Sequence, residues 1–186
     1  SIEVMESGDS VVYIRFQDDI FFDSDEYYLR QSAYPVLDVI GDAIHSVEDE
    51  IYIISINGHT AQVDDPNYAV SDWMLSSERA SSVAIYFEEE KQIDPQKMRP
   101  MGYGKNYPIA SNDTPEGRQK NRRVDIAIVK NSEGVVAGDM EQVLQSLFDP
   151  TSFPTTGGVS DLFTPEGSVS SSQTEPETAQ SSGEGV

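Results

Sequence analysis

Three polar side chains in the middle of the sequence have the types and spacing to bind a ligand that carries both a carboxylate and an ammonium group. Arg79 offers a guanidinium fork, and Asp72 precedes it by seven residues, with Leu75 between them. In a helix these positions share one face, because residues three, four and seven apart are neighbours along it. Thr60, at the exit of an apolar run, adds a hydroxyl. Guanidinium and carboxylate groups pair through parallel hydrogen bonds, so Arg79 is predicted to hold the ligand carboxylate.

Other candidates have competing structural explanations. Arg79 taken alone would more often be a surface or ion-pair arginine, and only the residues around it favour a ligand role. Arg122 and Arg123 alternate in a predicted strand, so one of them faces the ligand side, and we predict that it is Arg122. His59 and His45 are the two histidines, and their spacing fits neither a metal site nor a catalytic pair. We predict that His59 packs structurally and that the chain has no catalytic residue, metal or cofactor.

Several pairs of acidic residues could suggest a cation site, but they lack the pattern of a calcium loop. No twelve-residue loop with its glycine and terminal glutamate surrounds any of them. They are therefore predicted to be solvated turn residues. The pairs are Asp18-Asp19, Asp23-x-Asp25 and Asp64-Asp65.

The net charge argues against partners that are bound through phosphates. The chain has 33 acidic and 12 basic residues, a formal net charge of −21. Phosphate binding depends on Lys and Arg side chains that displace counterions, so nucleic acid is not expected as a partner. The absence of cysteine excludes a disulfide framework. No apolar run approaches the roughly 20 residues that a bilayer-spanning helix needs.

Apolar periodicity predicts the elements that hold these side chains. Val12, Ile14 and Phe16 alternate with polar residues, as in a strand with one buried face. The almost continuous apolar run from Ile51 to Ile56 predicts a central strand. The remaining predicted elements are helices over about residues 31–44 and 71–89 and strands over about residues 99–103 and 124–128.

The order β-α-β-α-β-β predicts an α+β fold, an α/β sandwich in which helices pack on one face of a small mixed sheet. We assign residues 11–130 to this domain and residues 1–10 to an N-terminal linker. Residues 131–186 hold nine acidic residues and no basic ones, with many Ser, Thr, Pro and Gly, and are predicted to be a largely disordered tail. Within the tail, only Met140 to Phe148 has the spacing of a short amphipathic helix.

Four segments of the predicted domain resemble the OmpA-like peptidoglycan-binding family. They occur in the family's order and at its spacing across about 70 residues. The predicted strand from Val11 to Phe22, which together with Asp23 gives Phe-Phe-Asp, extends the resemblance to about 120 residues. The four segments are Asn57-Gly58-His59-Thr60, Leu75 to Val83, Met101 to Gly104 with Pro108, and Asn112 to Val124.

The resemblance implies a non-catalytic domain that binds the stem peptide of peptidoglycan through a diaminopimelate carboxylate. The binding residues that it implies are Arg79, Leu75, Asp72, Thr60 and Arg122. In the family an acid after Gly-His-Thr pairs with the ligand ammonium, but Ala61 stands there in this sequence. We hypothesise that Asp72 takes this role because it shares a helix face with Arg79. Asp64 and Asp65 are the alternatives.

The run from Ser71 to Ser76 is similar to the Ser-Asn-Trp-Glu-Leu-Ser of flagellar MotB subunits. That likeness implies a homodimeric stator anchor on the extracytoplasmic side of the inner membrane. It also implies a MotA-like channel subunit as partner, bound through a transmembrane helix upstream of Ser1. The alternative is an envelope tether of the OmpA or Pal type, unrelated to motility. A cell-wall hydrolase would need two carboxylates across a cleft, and no Ser/His, Cys/His or metal pattern accompanies the acids.

Overall fold

Five strands form one mixed sheet in this computed structural model, which describes residues 2–7, 11–63, 65 and 69–131. The strands are β1 (Ile2–Ser7), β2 (Val11–Gln17), β3 (Ile51–His59), β4 (Met98–Gly102) and β5 (Arg123–Lys130). Their order across the sheet is β1-β2-β5-β3-β4. β3 and β4 are parallel, whereas the other neighbouring pairs are antiparallel.

Within the described residues, three α-helices accompany the sheet: α1 (Tyr34–Ser46), α2 (Asp72–Lys91) and α3 (Pro115–Asn121). Side-chain caps define where two of them begin. Ser71 accepts a hydrogen bond from the backbone N–H of Met74 at the start of α2, and Thr114 accepts one from Gly117 at the start of α3. α2 ends at Lys91, and the left-handed backbone of the next residue, Gln92 (φ +58°), terminates the helix.

α1 and α2 pack on the same face of the sheet and enclose the main apolar core. Their apolar side chains recur at helical spacing, and those of the strands alternate toward the same layer. The buried core includes Leu37, Ile40, Ile44, Ala80, Val83 and Phe87 from the helices and Ile14, Phe16, Ile54, Ile56, Val124 and Ile126 from the strands. This arrangement confirms the predicted α+β fold with helices on one face. In the described part of the chain, no helix combines the length and the apolar character that crossing a membrane requires.

Two segments differ from the sequence-based expectation. The acidic N-terminus predicts a linker at residues 1–10, but residues 2–7 form the edge strand β1, because pairing with β2 allows Val4 and Met5 to be buried. The sequence does not predict α3, since a seven-residue helix is too short to display an apolar period. Residues 132–186 of the predicted tail, including Met140 to Phe148, lie outside the described residues.

Four strand ends meet at one end of the sheet, which we call the site end. β2, β3 and β4 finish there and β5 begins there, because Gln17 and His59 both pair with Arg123 and because β4 runs parallel to β3. Thr60 follows β3 directly, and Arg122 directly precedes β5. The sheet topology therefore brings these two predicted site residues to the same end of the molecule.

Candidate functional site

Thr60 and Asp72 are in direct contact at the site end. Thr60 Oγ1 donates a hydrogen bond to Asp72 Oδ1 (2.8 Å), and the Thr60 backbone N–H donates one to the Gly104 carbonyl (3.0 Å). Lys105 Nζ lies 3.4 Å from Asp72 Oδ2, and the exposed fractions of the two side chains are 46% and 16%. The contact with Lys105 shows that an ammonium group fits against this carboxylate.

Two glycines allow the start of α2 to lie close to the strand ends. A methyl group on either Gly58 or Gly102 would overlap with atoms of Ser76. Ser76 Oγ also accepts a hydrogen bond from the backbone N–H of Gly104 (3.0 Å). These contacts hold the first turn of α2, and with it Asp72, against the loops that follow β3 and β4.

The guanidinium of Arg79 is already bound within the protein, so it does not present a free fork at the surface, and its predicted role in holding the ligand carboxylate stays a prediction. The side chain is 3% exposed, and its Nη1 donates to Asp18 Oδ2 at 2.7 Å. Its Nε donates to the Glu26 carbonyl (2.9 Å) and its Nη2 to the Asp23 carbonyl (3.2 Å). It also lies 5.1 Å from the ring centroid of Phe22. All these partners belong to the segment that follows β2. The sequence around Arg79 does not indicate that this distant segment lies against it.

Asp18 links Arg79 to Arg122, and we call these three residues the Asp18 cluster. Asp18 Oδ1 lies 3.9 Å from Arg122 Nε, and the Arg122 side chain is 39% exposed. Burial raises the pKa of the Asp18 carboxyl, although Arg79 and Arg122 act in the opposite direction. The prediction that Asp18 is a solvated turn residue is wrong, because it lies beneath α2 at the end of β2. Asp19 is the exposed member of that pair.

The other predicted residues occupy different settings. Leu75 is 4% exposed, so it supports α2 from within and offers little surface to a ligand. Ala61, at the position of the family's acid, is also buried. Asp72 is the acid that contacts the loop after β3, through Thr60. Of the alternatives, Asp65 is exposed and Asp64 lies outside the described residues.

Asp18 and Lys105 are the members of the site that the sequence analysis missed. Asp18 directly follows β2, and Lys105 follows the Gly-Tyr-Gly turn after β4. Positions at strand ends are a signal in themselves, because functional side chains often lie there. Which strand ends meet depends on the order of the strands in the sheet, and apolar periodicity does not reveal that order.

A second set of charged side chains lies on the opposite face of the sheet. Asp125 accepts two hydrogen bonds from Arg15 (2.8 and 3.1 Å) and one from Arg123 Nε (2.9 Å), and we call these three residues the Asp125 cluster. His59 Nε2 lies 3.8 Å from Asp125 Oδ2, and its ring stacks on Tyr103 at 5.2 Å. Burial, with the charge of Arg123, lowers the pKa of His59 to about 3. His59 therefore packs in the structure, as predicted.

Comparisons with known proteins agree with this fold. A family model described as the OmpA family matches residues 21–122, more than half of the chain. Outer membrane protein A of Bordetella avium is 40% identical over 114 residues, which cover 61% of this chain and 56% of that protein. Motility protein B of Bacillus subtilis (strain 168) is 36% identical over 117 residues, which cover 62% of this chain and 44% of that protein. The chain thus spans about half the length of these relatives.

A solved structure extends the similarity to three dimensions. The cell wall anchor of the T6SS from Pseudomonas aeruginosa matches with a TM-score of 0.60 and 25% sequence identity. The match covers 70% of this chain and 88% of that chain. The sheet and the helices that position the candidate site therefore have a counterpart in a protein of known structure.

Proposed function

Because this chain belongs to the OmpA family, we propose that it is a non-catalytic module that binds the stem peptide of peptidoglycan and anchors a flagellar motor stator complex to the cell wall. One observation carries the proposal. A partly buried carboxylate, Asp72, and a pair of guanidiniums around Asp18, of which that of Arg122 is partly exposed, lie at the same end of the sheet. Relatives described as a motility protein and a cell wall anchor support it.

The ligand chemistry matches these two groups. Diaminopimelate presents an ammonium and a carboxylate on one carbon, so a receptor needs an acid and a guanidinium near each other. Asp72 holds the ammonium in place of Lys105, whose Nζ now lies 3.4 Å from Asp72 Oδ2. Asp72 thus pairs with the ligand ammonium, as the acid after Gly-His-Thr does in the family.

The ligand carboxylate meets Arg122 first, because its side chain is the exposed member of the Asp18 cluster. Arg79 acts indirectly: it is buried and positions the Asp18 carboxylate, which lies between Arg79 and Arg122. Burial disfavours the charged form of Asp18, which is why its pKa is raised.

Thr60 and Leu75 position these groups. The Thr60 hydroxyl holds Asp72 Oδ1 at 2.8 Å and so orients the carboxylate toward the loop after β3. Leu75 is buried at 4% exposure and lies on the face of α2 that carries Asp72 and Arg79, so we assign it a positioning role. Neither residue is assigned a direct bond to the ligand.

The proposed setting is the extracytoplasmic side of the cell envelope. The parent protein would be a homodimer anchored in the inner membrane, with a MotA-like channel subunit as partner. The second candidate is an envelope tether unrelated to motility, which the 40% identity to Outer membrane protein A of Bordetella avium favours. A single apolar helix with a central acid upstream of Ser1 in the gene distinguishes the stator anchor from the tether.

Sedimentation with purified sacculi tests the proposed site. We expect Arg122→Gln and Asp72→Asn each to weaken binding roughly ten- to hundredfold, because each removes a charge-assisted hydrogen bond of about 1.5–3 kcal/mol. The matched controls are Arg99→Gln and Asp49→Asn, which change exposed residues away from the site end and should bind as the wild type does. Release of muropeptides by the wild type would contradict a non-catalytic role.

Competition with free amino acids tests the ligand chemistry. Diaminopimelate should displace the protein from sacculi, whereas 6-aminohexanoate, whose ammonium and carboxylate lie on different carbons, should not. Equal competition by both compounds, or equal binding of Arg122→Gln and Arg99→Gln, would reject the assigned carboxylate site. Thermal unfolding of every variant, followed by circular dichroism, confirms that a loss of binding is not a loss of fold.

A further inference from the structure

The first turn of α2 exposes two large apolar side chains beside the candidate site. Trp73 is 58% exposed and Met74 is 62% exposed. Trp73 is the single tryptophan of the chain. Tryptophan is highly buried on average, so an indole that stays in contact with water next to a second apolar side chain marks a surface that can bind a partner. We call these two residues the Trp73 platform.

The Trp73 platform lies at the site end. Trp73 follows Asp72 directly, and a rotation of about 100° around the helix axis separates the two side chains. Ser77 lies four residues after Trp73 and so shares its side of α2. A methyl group on Gly102 would overlap with Ser77 Oγ, which places this side of the helix at the end of β4. The platform is therefore continuous with the carboxylate of Asp72.

Hydrogen bonds fix the backbone that carries the indole. The Trp73 carbonyl accepts hydrogen bonds from the hydroxyls of Ser76 (3.2 Å) and Ser77 (2.7 Å). Ser71 Oγ accepts one from the backbone N–H of Met74 (3.4 Å) and caps the helix. A ligand that stacks on Trp73 therefore does not have to order a mobile backbone, and a surface that is held in place in this way costs less to bind.

We propose that Trp73 is a stacking surface for a sugar ring of the peptidoglycan glycan strand, next to the stem peptide bound at Asp72. The inference rests on the proposed function, which identifies the polymer. A pyranose ring presents a face of C–H groups that packs against the face of an aromatic ring. The stem peptide is attached to the sugar, and a few extended residues of about 3.5 Å each span about 10 Å. One repeat of the polymer can therefore contact both Asp72 and Trp73.

The size of the Trp73 platform fits a sugar better than a protein partner. A buried aromatic side chain contributes about 150–250 Å², whereas a stable protein interface needs about 800 Å² on each side. The neighbours of the platform along α2 are polar, and they are Ser71, Asp72, Ser77 and Glu78. Stacking requires no charge on the ligand, which suits a chain with a net charge of −21.

The single tryptophan reports directly on the proposed contact. The probe is peptide-free glycan strands, prepared from sacculi with an amidase. We expect them to shift the fluorescence emission of the full chain to shorter wavelength, because the stacked indole loses water. In calorimetric titration, Trp73→Ala should bind the strands roughly three- to tenfold more weakly, the effect of one aromatic contact. The matched control, Tyr52→Ala, removes a ring that is 51% exposed at the opposite end of β3 and should bind as the wild type does.

Three results would overturn the sugar contact. The first is an unchanged emission on addition of the strands, or equal binding of the strands by Trp73→Ala and Tyr52→Ala. The second is a lower molecular mass of Trp73→Ala in sedimentation equilibrium with unchanged strand binding, which would indicate a contact with a second copy. The third is a loss of free diaminopimelate binding in Trp73→Ala, which would mean that the indole supports Asp72 instead.

Failure of this inference is distinguishable from failure of the proposed stem-peptide site, because the strands contain no peptide and free diaminopimelate contains no sugar. We expect Trp73→Ala to bind free diaminopimelate as the wild type does. A wild type that binds the strands but not diaminopimelate would support the sugar contact and reject only the stem-peptide site. Circular dichroism of both variants checks that they fold.

Discussion

The described part of the molecule contains two aspartates that each lie between two arginines, and the two groups differ in how completely they are paired. In the Asp125 cluster, on the second sheet face, the carboxylate receives three hydrogen bonds of 2.8–3.1 Å. In the Asp18 cluster, at the site end, it receives one at 2.7 Å from Arg79, and Arg122 is 3.9 Å away. The same residue types thus produce a closed group in one place and an open one in the other.

The pKa shifts of the two aspartates have opposite directions. Burial acts to raise both, but in the Asp125 cluster the charges of Arg123 and Arg15 outweigh it, and the pKa of Asp125 is lowered. In the Asp18 cluster burial prevails, and the pKa of Asp18 is raised. The carboxylate of Asp125 is therefore well satisfied within the protein, whereas that of Asp18 is not. A closed group of this kind stabilises the fold, whereas under the proposed function the open group leaves the side chain of Arg122 available to a ligand.

Replacing each aspartate by asparagine should produce the largest contrast. Asp125→Asn leaves two guanidiniums in the sheet without a counter-charge, and we expect it to lower the free energy of unfolding by about 3–5 kcal/mol. Asp18→Asn should cost about 1–3 kcal/mol, because Arg79 keeps two carbonyl acceptors and Arg122 remains partly hydrated. Urea unfolding at pH 7 measures both values. Equal losses would break the distinction between closed and open clusters.

The dependence of the free energy of unfolding on pH should show the titration of His59, which lies against the Asp125 cluster. Its pKa is lowered to about 3, so below its ordinary value near 6.5 the unfolded state binds a proton that the folded state does not. The free energy of unfolding should therefore fall as the pH falls from about 6 to 4, by up to about 1.4 kcal/mol per pH unit. Asp125, with its lowered pKa, keeps its contribution throughout that window and loses it only at lower pH.

His59→Phe isolates this effect. The phenyl ring can still stack on Tyr103 but binds no proton, so the variant should lack this part of the slope. Subtracting its unfolding free energies from those of the wild type cancels the titration of the many surface carboxylates. A difference that stays constant between pH 6 and 4 would mean that His59 is protonated in the folded protein.

The smallest expected effect on the free energy of unfolding comes from replacing Arg122, the partly exposed arginine of the Asp18 cluster. Arg122→Gln should change the free energy of unfolding by no more than about 0.5 kcal/mol, as at other surface positions. Arg15→Gln, the matched change in the closed cluster, should cost several times more, because Asp125 loses two hydrogen bonds. Thermal and urea unfolding compare the two variants. A large loss of stability in Arg122→Gln would place that residue with the structural group and weaken its assignment to ligand binding.

Much of the fold was predictable because its signals are local. The apolar periods of α1, α2, β2, β3, β4 and β5 lie within single segments, and the observed bounds fall within a few residues of the predicted ones. β1 and α3 escaped for different reasons. The sequence of β1 contains acidic residues, and its strand character follows only from its pairing with β2. The position of α3 is fixed by the Thr114 cap and by Asn121, whose side chain forms hydrogen bonds with the loop of residues 109–112.

The sequence by itself determined that Asp72, Leu75 and Arg79 share one face of a helix, because helical geometry relates residues that are close along the chain. It also determined that Thr60 leaves a central strand. Only the tertiary structure decided that Asp72 accepts a hydrogen bond from Thr60 and that Arg79 forms an ion pair with Asp18, 61 residues away. The physical reason is that ion pairing depends on which strand ends meet, and that is settled by how the sheet is ordered and packed.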